Sequence, residues 1–134
     1  MKATADTSAV VAALASWHER HEVVAEVLAN VRVLPAHVML EAYSVLTRLP
    51  GGLAVPAADA ARTLEARFDR APLQLPAPYR RKILSTLATA GVQGGASYDG
   101  LVALEAHAHG LTLVTLDQRA RDTYARLGVT YHAL

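Results

Sequence analysis

The sequence contains no cysteine. That removes disulfide frameworks, thiol nucleophiles and zinc ribbons together, and leaves only metal sites built from oxygen or imidazole. A reducing cytoplasm is the simplest home for such a chain. A long apolar run is also missing: no stretch approaches the roughly 18 apolar residues of a membrane span, so no membrane partner is expected. Lys2 followed by the apolar run from Ala9 to Ala15 has the outline of a secretion signal, but Asp6 sits just ahead of the run and the basic region is a single Lys. Excess charge of either sign is absent too. Thirteen Lys and Arg stand against twelve Asp and Glu, a formal charge of +1, so overall charge announces neither nucleic acid nor an anionic membrane. No internal repeat, linker or low-complexity segment interrupts the chain.

What is present is enough for a core. A chain of 134 residues with 52% hydrophobic content fits one domain spanning 1–134, and one principal site. Strand-like segments at 2–5, 31–34 and 111–116, with a last one at 129–132, alternate with helical patterns at 9–17, 19–29, 37–49, 56–68, 79–90, 98–109 and 118–127. Leu73-Gln74-Leu75, hemmed in by Pro72, Pro76 and Pro78, reads as a weak strand or a loop. This alternation predicts an α/β fold: a mainly parallel sheet of four to five strands covered by helices on both faces, in three layers.

In such sheets, sites form beyond the carboxyl ends of the strands. Asp6 ends the first strand, Asp117 ends the most strongly β-patterned one, and Asp99 opens the helix that leads back into it. Glu41 lies on a polar stripe of His37, Glu41, Ser44 and Arg48 along an otherwise apolar helix. Each has an ordinary role as well: Asp6 and Asp117 as helix N-caps, Asp99 as a complement to a helix dipole, Glu41 as part of a solvated face. Together they say more. Four carboxylates at one sheet edge repel one another unless a cation binds them, so a cluster points to a hard ion such as Mg²⁺ or Mn²⁺.

The segments Ala5-Asp6-Thr7-Ser8-Ala9, Glu41-Ala42-Tyr43-Ser44-Val45-Leu46-Thr47-Arg48-Leu49-Pro50, Tyr98-Asp99 and Leu113-Val114-Thr115-Leu116-Asp117, in that order and spacing, resemble the PIN-domain ribonucleases, specifically the VapC-type toxins of toxin–antitoxin pairs. The resemblance spans the chain, through Tyr124, Leu127 and Gly128. It implies a PIN-like fold and a divalent-metal endoribonuclease with Asp6, Glu41, Asp99 and Asp117 as its catalytic acids. Asp6, Asp99 and Asp117 would hold Mg²⁺ or Mn²⁺, while Ser8 and Thr115 match supporting hydroxyls. It also implies a cognate VapB-type antitoxin that covers the acidic pocket, and a homodimer. Many relatives carry a further acid just after the last Asp. Here Gln118, Arg119 and Ala120 follow, and Asp122 lies farther along the helix, so the number of metal ions stays open. Hydrolysis by an activated water would leave 5′-phosphate and 3′-hydroxyl ends.

An acidic pocket repels RNA, so cations are needed nearby. Arg62, Arg67, Arg70, Arg80, Arg81 and Lys82 form either a phosphate-tracking face or an ordinary solvated surface. Arg119 and Arg121 are closer in sequence to the acids. Other signals fail on inspection. His21-Glu22 starts like a zinc-protease helix, but Ala25 stands where the second His belongs. His107 and His109 point to different helix faces. Gly91, Gly94 and Gly95 lack the Lys-Ser/Thr ending of a phosphate cradle. The six His residues are expected to be surface or core groups. Two rival readings are a nuclease acting on DNA or structured nucleic-acid ends, and a non-catalytic binding module of the same fold whose acids serve only as caps.

Overall fold

Three short strands lie side by side in chain order, all parallel: β1 (Ala3–Ala5), β2 (Thr112–Thr115) and β3 (Tyr131–Ala133). The computed structural model describes residues 1–134. Eight helices accompany the sheet: α1 (Thr7–Leu14), α2 (His21–Val27), α3 (Ala36–Thr47), α4 (Ala57–Arg67), α5 (Ala77–Arg81), α6 (Ile83–Thr89), α7 (Ala96–Ala108) and α8 (Gln118–Arg126). None is long and apolar enough to cross a membrane.

The register pairs Ala5 with Val114 and Val114 with His132. The Asp6 amide then donates to the Val114 carbonyl over 3.0 Å, so β1 and β2 end almost level and Asp6 and Asp117 leave the sheet at the same edge. Leu113 and Val114 project to opposite faces of β2, and both are fully buried. The sheet is therefore covered on both sides, the three-layer arrangement that the alternating pattern predicts. Helices α1 and α7 pack on β2, and α8 packs on β2 and β3. Burying one such Val or Leu side chain is worth about 1.5–3 kcal/mol, and the main core gathers 22 buried residues from every layer.

Local chemistry sets the helix starts. Asp6 caps α1 and Asp117 caps α8 through their carboxylates, while α3, α4 and α5 each begin directly after Pro35, Pro56 or Pro76. Proline suits these thresholds, because the first amides of a helix have no intrahelical acceptor. Next to Asp99, Gly100 lets α6 approach α7: a Cβ there would stand 2.5 Å from Leu87 Cδ2.

The sheet has three strands, where the sequence predicts four to five. Residues 31–34 are not a strand. Their carbonyls accept at Arg32 from the Arg70 amide and at Leu34 from the Leu73 amide, and one isolated bridge joins Pro35 to Leu73. On the side of β1 the link is a side chain, with Thr4 Oγ1 donating to the Val33 carbonyl over 2.8 Å. Pro35 and Pro72 lack the amides that a continued ladder needs. The segment predicted as one helix over 79–90 is two, α5 and α6, meeting at Lys82, whose amide turns back to the Tyr79 carbonyl. Helix α5 buries no side chain, whereas α6 is anchored by Leu87, so nothing in the core holds the two on one axis. The helices predicted at 9–17 and 19–29 are shorter, ending at Leu14 and Val27.

Candidate active site

Four elements bring the predicted acids to one edge of the sheet. Asp6 follows β1, Asp117 follows β2, Asp99 lies in the first turn of α7, and Glu41 sits midway along α3, which packs on both α1 and α7. The charges of the other three acids reach Asp99. Burial, then the charges of Asp117, Glu41 and Asp6, push its carboxyl up from 3.8 to about 6, and only His37 pulls the other way.

Asp6 is the buried member, 5% exposed. Its Oδ1 accepts from the Ser8 hydroxyl at 2.6 Å and from the Ala9 amide at 3.2 Å, and its Oδ2 accepts from the Tyr124 hydroxyl at 2.8 Å. The Thr115 hydroxyl also favours its ionised form. Burial outweighs all four donors and raises the Asp6 carboxyl above the ordinary range. The two supporting hydroxyls also clamp the turn after β2: Ser8 Oγ accepts from the Leu116 amide at 2.9 Å, and Thr115 Oγ1 from the Asp117 amide at 3.0 Å. Asp117 uses Oδ1 to accept the amides of Arg119 and Ala120, at 2.9 and 3.3 Å, so its capping role leaves Oδ2 free for another partner. For both Asp6 and Asp117, capping and membership of the acidic site are the same geometry.

The carboxylates are held apart on their own elements. No three His, Cys, Asp or Glu side chains are gathered into a ready-made metal cage. The donor set is nonetheless all hard oxygen, with a free oxygen on Asp117 and a raised Asp99 among three like charges. That chemistry fits a small hard dication and would suit neither thiophilic nor imidazole-preferring metals.

Several residues of this site were not singled out in the sequence. Tyr124 lies seven positions after Asp117 on α8, with Ala120 between them on the buried face, so the helical spacing pointed to its side of the helix. His37 belongs to the same polar stripe as Glu41. Its Nε2 lies 3.3 Å from Glu41 Oε2 and its ring stacks on Tyr98, with centroids 5.5 Å apart and planes 13° from parallel. Glu105 is 4% exposed on α7; burial raises its carboxyl, opposed by the amide and imidazole of His37 and by His109. Arg20 shares a cleft of about 440 Å³ with Thr7, Ser8 and His18 beside the end of β1.

The predicted cations divide. Arg80 is turned to the Leu75 carbonyl, Arg67 to the carbonyls of Val31 and Leu28, and Arg62 pairs with Asp59. Arg81, Lys82 and Arg119 are exposed, and Arg121 keeps a buried Nε without a partner. Asp122 pairs with Arg126 at 2.8 Å on the outer side of α8. Among the other histidines, His21 and His109 bond to the carbonyls of Ala12 and Gln74.

Residues 3–126 match the family model of the PIN domain. Two curated relatives from Mycobacterium tuberculosis are similar over most of the chain. Ribonuclease VapC27 is 43% identical over 125 residues, covering 92% of this chain and 90% of the relative, and Ribonuclease VapC40 is 42% identical over 124 residues, covering 92% of each. Among solved structures, FitAcB from Neisseria gonorrhoeae aligns with a TM-score of 0.60 at 21% identity, covering 96% of this chain and 94% of the other, a likeness that speaks for the fold. The chain belongs to the PIN-domain family and, within it, to the VapC type.

Proposed function

We propose that this chain is a divalent-metal-dependent endoribonuclease and the toxin of a toxin–antitoxin pair. The observation that carries the reading is the placement of Asp6 and Asp117 at the ends of β1 and β2, with Asp99 on α7 and Glu41 on α3 close enough that burial first, and then the charges of Asp117, Glu41 and Asp6, raise the Asp99 carboxyl. Similarity to two ribonucleases of the VapC type over 92% of the chain supports the choice of RNA.

When bound, Mg²⁺ or Mn²⁺ would supply Lewis acidity, offsetting the charge that develops on the phosphodiester and making water a better nucleophile. Asp6, Asp99 and Asp117 are the residues to hold it. Ser8, Thr115 and Tyr124 keep the Asp6 carboxylate in one orientation, so the side chain loses little rotamer freedom when it engages a ligand. Glu41 completes the acidic ring and is placed to orient water, its own position steadied by His37. Arg119, exposed in the first turn of α8 beside Asp117, is placed to meet the scissile backbone, and Arg81 and Lys82 to meet phosphates farther along the strand.

The same reading assigns a VapB-type antitoxin as partner, with an Arg inserted among the carboxylates as the natural inhibitory contact. A groove of about 480 Å³ between α3 and α4, lined by Met39, Leu40, Tyr43 and Leu64, offers an apolar seat on the helix that carries Glu41. A homodimer in the cytoplasm, built from one domain spanning 1–134, completes the proposal.

The test is incubation of the purified chain with total cellular RNA, with and without chelator, beside Asp99→Asn. Cleavage confined to the native chain with metal, leaving 5′-phosphate and 3′-hydroxyl ends, supports the reading. Cleavage that survives both changes, or cyclic-phosphate ends, overturns it. Matched single-stranded DNA run in parallel separates a ribonuclease from a DNA nuclease.

A further inference from the structure

Tyr98 precedes Asp99 in the first turn of α7 and is 60% exposed. The buried face of that helix is made by Gly100, Val102 to Leu104 and Ala106, with Glu105, and Tyr98 takes no part in it. Its ring is nevertheless fixed on one side, lying nearly parallel to the His37 imidazole at 5.5 Å between centroids. His37 is half-buried on α3 and is steadied by Glu41 at 3.3 Å. A two-ring stack therefore spans the seam between α3 and α7. It joins one acid of the site through His37 and adjoins another, Asp99, along the backbone.

The setting selects the kind of ligand such a ring can take. The edge of the sheet is anionic, so phosphate charge works against a bound strand there, whereas stacking on a π face is indifferent to that charge. A base inside a duplex already has neighbours on both faces, so a base within a strand must be unpaired to lie on Tyr98. We propose that Tyr98, backed by His37, is the stacking platform for a nucleobase of single-stranded RNA, the base next to the phosphodiester presented to the acids. The inference rests on the ribonuclease reading above and adds to it the element that seats the substrate.

The test measures binding apart from cleavage. In an Asp99→Asn background, the affinity of a mixed-sequence oligoribonucleotide is read by fluorescence anisotropy for the parent, Tyr98→Phe and Tyr98→Ala, with thermal unfolding confirming that each is folded. A second series walks one abasic nucleotide along the strand. Tyr98→Ala is expected to bind about tenfold to a hundredfold more weakly and Tyr98→Phe within about twofold of the parent, as one stacked base requires. The parent should be weakened by an abasic site at one position, to which Tyr98→Ala is indifferent. Unchanged affinity in Tyr98→Ala, a loss that Phe does not restore, or the same abasic penalties in both proteins overturns the platform; the last two outcomes would point to a hydroxyl contact or to a contact of the ring with the sugar–phosphate backbone. Cleavage by the native chain is scored separately. Cleavage with normal binding by Tyr98→Ala removes the platform and leaves the ribonuclease. Loss of stacking in a chain that does not cut RNA keeps the platform and removes the ribonuclease, and absence of RNA binding altogether removes both.

Discussion

The hydroxyl of Tyr124 donates to Asp6 Oδ2 over 2.8 Å in a buried contact between residues 118 positions apart. It ties the last helix to the end of the first strand through the most buried of the four predicted acids. Burial raises the Asp6 carboxyl while this hydroxyl, with those of Ser8 and Thr115, opposes the rise. Desolvation and the nearby acids make loss of the Tyr124 proton itself still harder, so the phenol stays a donor at any working pH.

Tyr124→Phe should therefore cost more than a neutral hydrogen bond. It strips one donor from a buried carboxylate and leaves the packing of the ring intact, so a loss of about 1.5–3 kcal/mol in urea unfolding at pH 7 is expected. RNA cleavage should fall with it, because Asp6 is then held in its orientation by fewer donors. Native stability in Tyr124→Phe would mean that water replaces the hydroxyl and that the bond matters little.

The titration of Asp99 gives a prediction with a definite sign. Unfolded, the carboxyl titrates near 3.8; in the fold it does so at about 6, so the folded state holds the proton more tightly. The ionised form is thus the disfavoured one in the fold. Stability linked to this group is highest below 3.8, declines as pH climbs towards 6, and is lost above it. In divalent-free buffer, Asp99→Asn should melt above the native chain at pH 7.5, and the two should converge near pH 4. A native chain that melts higher at pH 7.5 would show that Asp99 is compensated by a partner other than a metal.

How much of this was legible in the sequence follows the range of each interaction. Asp6 and Asp117 could be found because strand, acid and helix start are consecutive, and the capping that reveals them is local. Glu41 could be found from the polar stripe on α3, and the same stripe held His37, whose neighbours Tyr98 and Glu105 come from a helix about 60 positions away. Tyr124 carries no local signature for its bond to Asp6. The missing strand at 31–34 fails for a different reason: its Val-rich pattern is right, but Pro35 closes it and the segment it must pair with is broken by prolines as well, so part of the cause lies in the partner.

Cations at the rim should separate by their present partners. Arg81 and Lys82 are exposed, whereas the Arg80 guanidinium is tied to the Leu75 carbonyl at 3.2 Å. Arg81→Glu with Lys82→Glu should weaken single-stranded RNA binding and flatten the plot of log affinity against log salt by about 0.7 for each phosphate no longer neutralised. Arg80→Glu should act partly through the α5 segment, seen as a lowered melting temperature. If the double reversal changes neither affinity nor salt slope, this face is ordinary solvated surface.

Metal binding should appear as stability before it appears as activity. The acids are not drawn into a cage, yet Asp99 bears a repulsion that a dication would relieve, so binding must favour the folded chain over the unfolded one. At a hundredfold excess over the dissociation constant, one site adds about 2.7 kcal/mol, visible as a rise in melting temperature that grows with metal concentration. Asp6→Ala combined with Asp99→Ala should abolish the rise. The double variant also loses the buried Asp6 network, so Asp99→Asn alone serves as the control: it keeps that network and should still lose most of the metal effect. A melting temperature that climbs with Mg²⁺ or Mn²⁺ equally in all three proteins would place the ion elsewhere on the surface and detach these carboxylates from metal chemistry.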